Sequence, residues 1–305
     1  MAERDSIDPP MVSVIVPVFN DSGRLRLCLQ ALRDQTYPAD RFEVLVVDNG
    51  SSDPPRSLVE SFGYTFLSEA AVGSYAARNH GLASASGQII AFTDADCIAW
   101  PQWLAEGVEQ LLAHPEVGQV TGRVDVFPAD PDRPTAAELY EMVCAFPIRR
   151  YVQEQNKTAT CNLLTRRSVF EAVGPFDATL KSGGDGAWTH RAATRGYPIL
   201  YADAVAIRHP ARRTIGQVLR KTRRLAGGIY DRRHNRAHLS AARKLRICVI
   251  NLFPRVDLIA RTTRDPRLQT WAQRLKVGLV VVLRQYATYG QLLRLRLLRG
   301  RSQRE

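Results

Sequence analysis

The chain has 305 residues, 45% of them hydrophobic and 24% charged, the make-up of a globular protein with room for one large domain and an appendage. That composition excludes a disordered chain, a collagen-like repeat and a small disulfide scaffold. The net charge of +12 is unevenly placed: residues 1–210 carry 18 Lys and Arg against 26 Asp and Glu (−8), and residues 211–305 carry 24 against 4 (+20).

Cys28, Cys97, Cys144, Cys161 and Cys248 are odd in number and include no C-x-x-C pair for zinc or a redox dithiol. They point to a reducing compartment. The opening MAERDSIDPP is charged and proline-rich where a secretory peptide needs an apolar stretch. Residues 1–10 therefore read as a disordered lead-in to a cytoplasmic protein.

In chain order, short β-branched runs alternate with helical patterns, as in βα units around a mostly parallel sheet. Val12 to Phe19 is the first expected strand, followed by a helix from the N-cap Ser22, with Leu25, Cys28, Leu29 and Leu32 on one face. Phe42 to Val47 is a second strand, closed by the turn residues Asp48 to Asp53. An Ala-rich helix over 71–85, a strand over 88–93 and a helix through Trp103, Val108 and Leu111 come next. Further strands are expected over 117–126 and 159–165, with a polar loop at 128–134 between them, and a helix over 187–194.

Ligands of open α/β sheets sit beyond the carboxyl ends of strands. Three such ends are polar here: Asn20-Asp21, Asp48 to Asp53, and Asp94-Ala95-Asp96. Two carboxylates with one residue between them can share a divalent cation with a phosphate ligand, because hard oxygens suit Mg²⁺ or Mn²⁺. A lone D-x-D is also a common solvated turn, so its weight comes from the motifs around it.

Those motifs are V-I-V-P-V-F-N at 14–20, V-V-D-N-G-S-S-D at 46–53, G-S-Y-A-A-R-N-H-G at 73–81 and F-T-D-A-D at 92–96. C-N-L-L-T-R-R-S-V-F-E-A-V-G-P-F-D at 161–177 and S-G-G-D-G-A-W-T-H-R-A-A-T-R-G-Y at 182–197 continue the series. Together they resemble the family 2 glycosyltransferases of GT-A fold, over 11–210. The resemblance implies an α/β, Rossmann-like, mostly parallel sheet flanked by helices, and inverting transfer of a sugar from a nucleotide-sugar donor, a UDP-sugar first, to a glycan or lipid-linked acceptor, as in cell-surface polysaccharide synthesis. It implies a donor site of Pro17, Phe19, Asn20, Asp48, Asn49, Ser51, Arg78, Asn79, Asp94 and Ala95. There Phe19 lies against the nucleobase, Asp48 or its neighbour bonds it, Arg78 and Asn79 hold the donor near its diphosphate, and Asp94 meets the ribose or sugar. Asp96 takes the Mn²⁺ or Mg²⁺, with His209 as a further ligand. Many members read D-D-x-S where this chain has Asp48-Asn49-Gly50-Ser51, and Glu-Asp where it has Gly184-Asp185.

Sugar transfer with inversion also needs a carboxylate to take the acceptor's proton. Asp185, opening the 187–194 helix, is the expected base, although Asp is equally common as a helix cap. Trp188 beside it offers either an apolar face to an acceptor sugar or a packing ring. His80, His114, His234 and His238 read as packing or surface.

Over 211–305 the charge lies on helical patterns. Ile215, Val218, Leu219, Thr222, Leu225, Ala226 and Ile229 form a stripe within 214–230, beside Arg220, Lys221, Arg223 and Arg224. The stretch 275–298 repeats the theme with Leu279, Val282, Leu283, Tyr286, Leu292, Leu293, Leu295, Leu297 and Leu298. The longest apolar run, Val277 to Leu283, is far too short to span a bilayer. This basic α-helical extension is expected either to lie on an anionic membrane surface or to pack on the body, and no nucleic-acid motif accompanies its charge. Two alternatives are a sugar-phosphate nucleotidyltransferase, whose G-x-G-x-R motif is missing near Val18 to Leu25, and a non-catalytic scaffold on membranes or nucleic acid.

Overall fold

The computed structural model describes residues 8–234 and 253–297. Residues 1–7 of the expected lead-in, His238, Cys248 and Leu298 lie outside them. The chain runs β1 (Val12–Val18), α1 (Ser22–Arg33), β2 (Phe42–Asp48), α2 (Arg56–Ser61), β3 (Thr65–Ser68), α3 (Ser74–Ser84), β4 (Ile89–Phe92), β5 (Ile98–Ala99), α4 (Trp103–Ala113) and β6 (Gln119–Phe127). It continues with α5 (Ala136–Cys144), α6 (Ile148–Gln155), β7 (Leu163–Arg166), α7 (Arg167–Val173), α8 (Gly184–Thr194), β8 (Ile199–Pro210), α9 (Ile215–His234), α10 (Val256–Thr263) and α11 (Trp271–Leu297).

The strands form one mixed sheet in the order β3-β2-β1-β4-β7-β6-β8-β5. The first four are parallel neighbours, with Val12 to Val18 of β1 opposite Phe42 to Asp48 of β2 and Val12 to Ile15 opposite Ile89 to Phe92 of β4. β7 runs antiparallel to both β4 and β6. Near-continuous burial of β1, β2 and β4 follows from helices covering both faces. Leu25, Cys28, Leu29 and Leu32 of α1 are all buried, matching the stripe read from the sequence. The expected strand at 159–165 is half as long, because Thr160–Asn162 forms a 3₁₀ turn. Buried Asn162 there bonds the carbonyls of Arg123 and Val205 and accepts from the Trp103 indole.

The described residues divide into two compact units. The first comprises residues 8–125, Ile148–Thr179 and Gly184–His209; the second comprises Val126–Pro147, Leu180–Gly183 and residues 210–234 and 253–297. In the first, β8 passes so near β6 that a Cβ on Gly122 would lie 2.0 Å from the Val205 oxygen and 2.2 Å from that of Ala202. Only glycine admits this approach, which fixes the strand that ends in His209.

The helical unit is built around α5, α9 and α11. Its core is Ala137, Leu139, Tyr140, Val218, Leu268, Val277, Val280 and Val281. A capping box starts α5: the Thr135 hydroxyl accepts the Glu138 N–H, and Glu138 accepts the Thr135 N–H. Glu141, 2% exposed, is neutralised by Arg212 at 2.8 Å and Lys221 at 3.5 Å. Tyr140 accepts a hydrogen bond from Arg284 of α11. One face of α11 is thus core, whereas Trp271, Leu275, Leu279, Tyr286 and Leu293 on the other face are exposed. No described helix is long and apolar enough to cross a membrane.

Candidate active site

The parallel register sets Asp48, the last residue of β2, beside Val18 at the end of β1. Asp48 is 2% exposed. Its Oδ2 accepts the N–H groups of Gly50 and Ser51 at 3.2 and 3.1 Å, an Asx turn that closes the strand. Its Oδ1 is buried with no hydrogen-bond partner among the described residues. An orphaned buried carboxylate oxygen is costly, so it marks a place where a ligand donor belongs.

Around that oxygen the loops are tied together. Asn20, at φ 50°, accepts from the N–H and hydroxyl of Ser52, and its own N–H donates to the Ser51 hydroxyl. Pro17 is half-buried on β1, and Phe19 just beyond the strand is 53% exposed. Asn49 donates to the carbonyls of Glu69 and Ala71 and accepts the Gly73 N–H at 2.7 Å. That side chain thereby shapes the approach to α3. Asn79 does similar work, exchanging both bonds with the main chain of Phe176.

Arg78, buried on α3, donates to Asp94 Oδ1 at 2.5 Å and to the Ser74 carbonyl at 3.2 Å. Asp94 is thereby oriented by a fixed cation. Ala95 is buried in the turn, and Asp96 stands at its end. The Asp96 carboxylate lies 3.6 Å from His209 Nε2 and 3.6 Å from Arg24 Nη1. Ligand atoms of Asp96, Cys97 and His209 all lie within 4.8 Å of one another. A carboxylate oxygen and an imidazole nitrogen fit Mn²⁺ or Mg²⁺. The Cys97 thiol is pushed well up by burial, which keeps it a protonated, softer neighbour.

Asp185 lies in the first turn of α8, half-buried. Its Oδ1 accepts the Gly186 N–H at 2.8 Å and the Tyr75 hydroxyl at 3.2 Å. Trp188 requires a correction. It is 1% exposed, its ring stacks on Phe170 at 4.1 Å, and its N–H donates to the Gly174 carbonyl. Such a ring has no face left for an acceptor sugar and serves the core. Sequence reasoning did not single out Tyr75, Arg24 or Cys97 for the site. Arg24 was visible one turn after the β1 end, but nothing local showed that it would reach Asp96.

With this geometry in view, comparison with known proteins gives a consistent picture. The family model described as "Glycosyl transferase family 2" matches residues 13–174. Glycosyltransferase AglE of Haloferax volcanii is 40% identical over 225 residues, which are 72% of this chain and 73% of that protein. Among solved structures, the mannosyltransferase PcManGT from Pyrobaculum calidifontis, in complex with GDP-Man and Mn²⁺, superposes with a TM-score of 0.60 at 23% identity, over 93% of this chain and 87% of that one. S. aureus TarS 1-349 in complex with UDP-GlcNAc gives 0.53 at 18% identity, over 93% and 88%. At those identities the two structures attest the fold.

Proposed function

Because the chain belongs to glycosyl transferase family 2, we propose that it moves a sugar with inversion from a UDP-sugar to a hydroxyl of a glycan or lipid-linked acceptor. The observation that carries this reading is the strand-end arrangement: the orphaned Asp48 oxygen, the Arg78-oriented Asp94, and Asp96 within reach of His209. A buried carboxylate oxygen takes an N–H donor. Uracil presents one at N3, whereas cytosine presents an acceptor there. Phe19 then offers its exposed ring to the base, and Asn20, Asn49 and Ser51 keep the surrounding loops in shape. Pro17, Ala95 and Asn79 support the same walls.

Asp96 and His209 would hold a divalent cation, Mn²⁺ or Mg²⁺, whose charge stabilises the departing diphosphate. Asp94, with one oxygen on Arg78, offers the other to a ribose or sugar hydroxyl. Asp185 takes the acceptor's proton as the acceptor oxygen bonds to the anomeric carbon, on the side opposite the leaving nucleoside diphosphate. The proton ends on Asp185 and the bonding pair leaves with the diphosphate.

The extension serves as the attachment to an anionic bilayer surface, where a lipid-linked acceptor would be met. The exposed stripe of α11, with Trp271, Leu275 and Leu279, would enter the headgroup layer, and flanking cations such as Lys276 and Arg294 would meet the lipid charge.

Calorimetry with UDP, GDP and CDP in Mn²⁺ tests the donor assignment. UDP should bind most tightly; preference for GDP, which also presents an N–H, would reassign the base, and equal binding of CDP would remove Asp48 from it. Asp185→Asn should slow transfer by about 10² to 10⁴ with UDP affinity intact. Transfer at the parent rate would leave Asp185 only a cap.

A further inference from the structure

Tyr75 lies in the first turn of α3, beside Asp185. It is 6% exposed, and its ring lies 5.9 Å from that of Phe176. Its hydroxyl sits between two groups at the start of α8. It accepts the Gly184 N–H at 2.8 Å and donates to Asp185 Oδ1 at 3.2 Å. A phenol has a single proton, and with the Gly184 N–H occupying a lone pair, that proton is aimed at the carboxylate. Burial first, and the charge of Asp185 after it, push the phenol up to about 12, so the proton stays on at neutral pH.

Gly184 is matched to this ring. A Cβ there would lie 2.7 Å from Tyr75 Cε2, 2.9 Å from Cζ and 3.0 Å from Cδ2. The tyrosine therefore occupies the volume that any other residue at 184 would need. The Gly186 N–H reinforces the same oxygen from the other side of the residue.

We infer that Tyr75 is a positioning residue for proton transfer: it ties down Oδ1 of Asp185 so that Oδ2 is the oxygen that receives the acceptor's proton, and Gly184 is glycine because it must admit the Tyr75 ring. This rests on Asp185 being the base. Oδ1 is taken up by two donors, and the carboxylate cannot rotate without giving up both bonds. The acceptor hydroxyl thus meets one oxygen in one orientation, which is where the rate gain from positioning arises.

Tyr75→Phe keeps the buried ring and removes only the hydroxyl. Turnover at saturating substrates should fall about tenfold, the size of one hydrogen bond to a charged group, while the donor KM and the UDP Kd stay as in the parent. In an Asp185→Asn chain the same change should cost nothing more, because no base remains to be held. An equal loss in both backgrounds, or parent turnover in Tyr75→Phe alone, would overturn the proposal. Gly184→Ala supplies a second route, since its methyl displaces the ring: turnover should fall with UDP binding kept, and parent turnover would count against the pairing. Parent turnover in Asp185→Asn would instead remove the base assignment itself, a result read separately.

Discussion

In the sheet unit three carboxylates of the candidate site are each held through one oxygen by fixed neighbours. Asp48 keeps Oδ1 open, Asp94 has Arg78 on one oxygen, and Asp185 has two donors on one oxygen. In the helical unit the buried carboxylates are closed off, Glu138 by the N–H groups of Ala129 and Thr135 and Glu141 by Arg212 and Lys221. There the unsatisfied surface is apolar, along the exposed face of α11. Polar groups left incomplete inside a rigid sheet invite a polar ligand, and apolar groups left uncovered beside excess positive charge invite an amphipathic one. The two units thus differ in the kind of partner that would complete them.

The sharpest way to break that contrast lies at the D-A-D turn. Asp96→Ala should abolish turnover and weaken UDP binding in Mn²⁺ by about 10- to 100-fold, while binding without metal changes little. Calorimetry with and without Mn²⁺ reads both; an unchanged Mn²⁺ effect would detach Asp96 from the cation.

A smaller effect is expected at the other unit. Leu275→Asp with Leu279→Asp should weaken co-sedimentation with anionic vesicles by about tenfold or more, since each leucine loses its burial in the interface. UDP affinity should stay at the parent value. Vesicle binding that survives both changes would move the contact to another surface. Removing 275–305 outright is a poorer test, because Val277, Val280 and Val281 belong to that unit's core.

The smallest effect is a matter of pH. Burial pulls Lys221 down to about 8, against the attraction of Glu141. The folded chain therefore binds fewer protons at this site than the unfolded chain from about pH 8 up to the ordinary lysine value, so stability should rise with pH across that window. Thermal melts at pH 7.5 and pH 9.5 should show the rise, and Lys221→Met should flatten it.

How far the sequence could be read depended on whether the signal was local. β1, β2 and β4 were legible because buried parallel strands are continuous β-branched runs. β3 was not, because Thr65–Ser68 is short and only half-covered. The box at Thr135 and Glu138 is a usable helix signal in plain view, yet the sequence reading places no element between the 128–134 loop and the 159–165 strand. Asp48, Asp94 and Asp96 stand out through motif and strand-end position together, and Asp185 through its motif at the start of a helix. The side of Trp188 could not be read, since one ring suits a sugar and a core equally well until Phe170 and Phe176 are known to surround it. Tyr75 escaped because its meaning lies in a contact with a residue 110 positions away.

The unit boundary between Gly183 and Gly184 bears on how the chain can be recombined with its relatives. Residues 180–183 belong with α9, where a Cβ on Gly228 would lie 2.9 Å from the Ser182 oxygen. A hybrid joined at residue 210 would keep every strand-end residue but take the backing from the loop that leads directly into Asp185. On the proposed roles of these residues, such a hybrid would keep nucleotide binding and lose transfer rate. Grafts that carry 180–183 together with 210–234 from one parent keep that loop and its support as a single heritable piece.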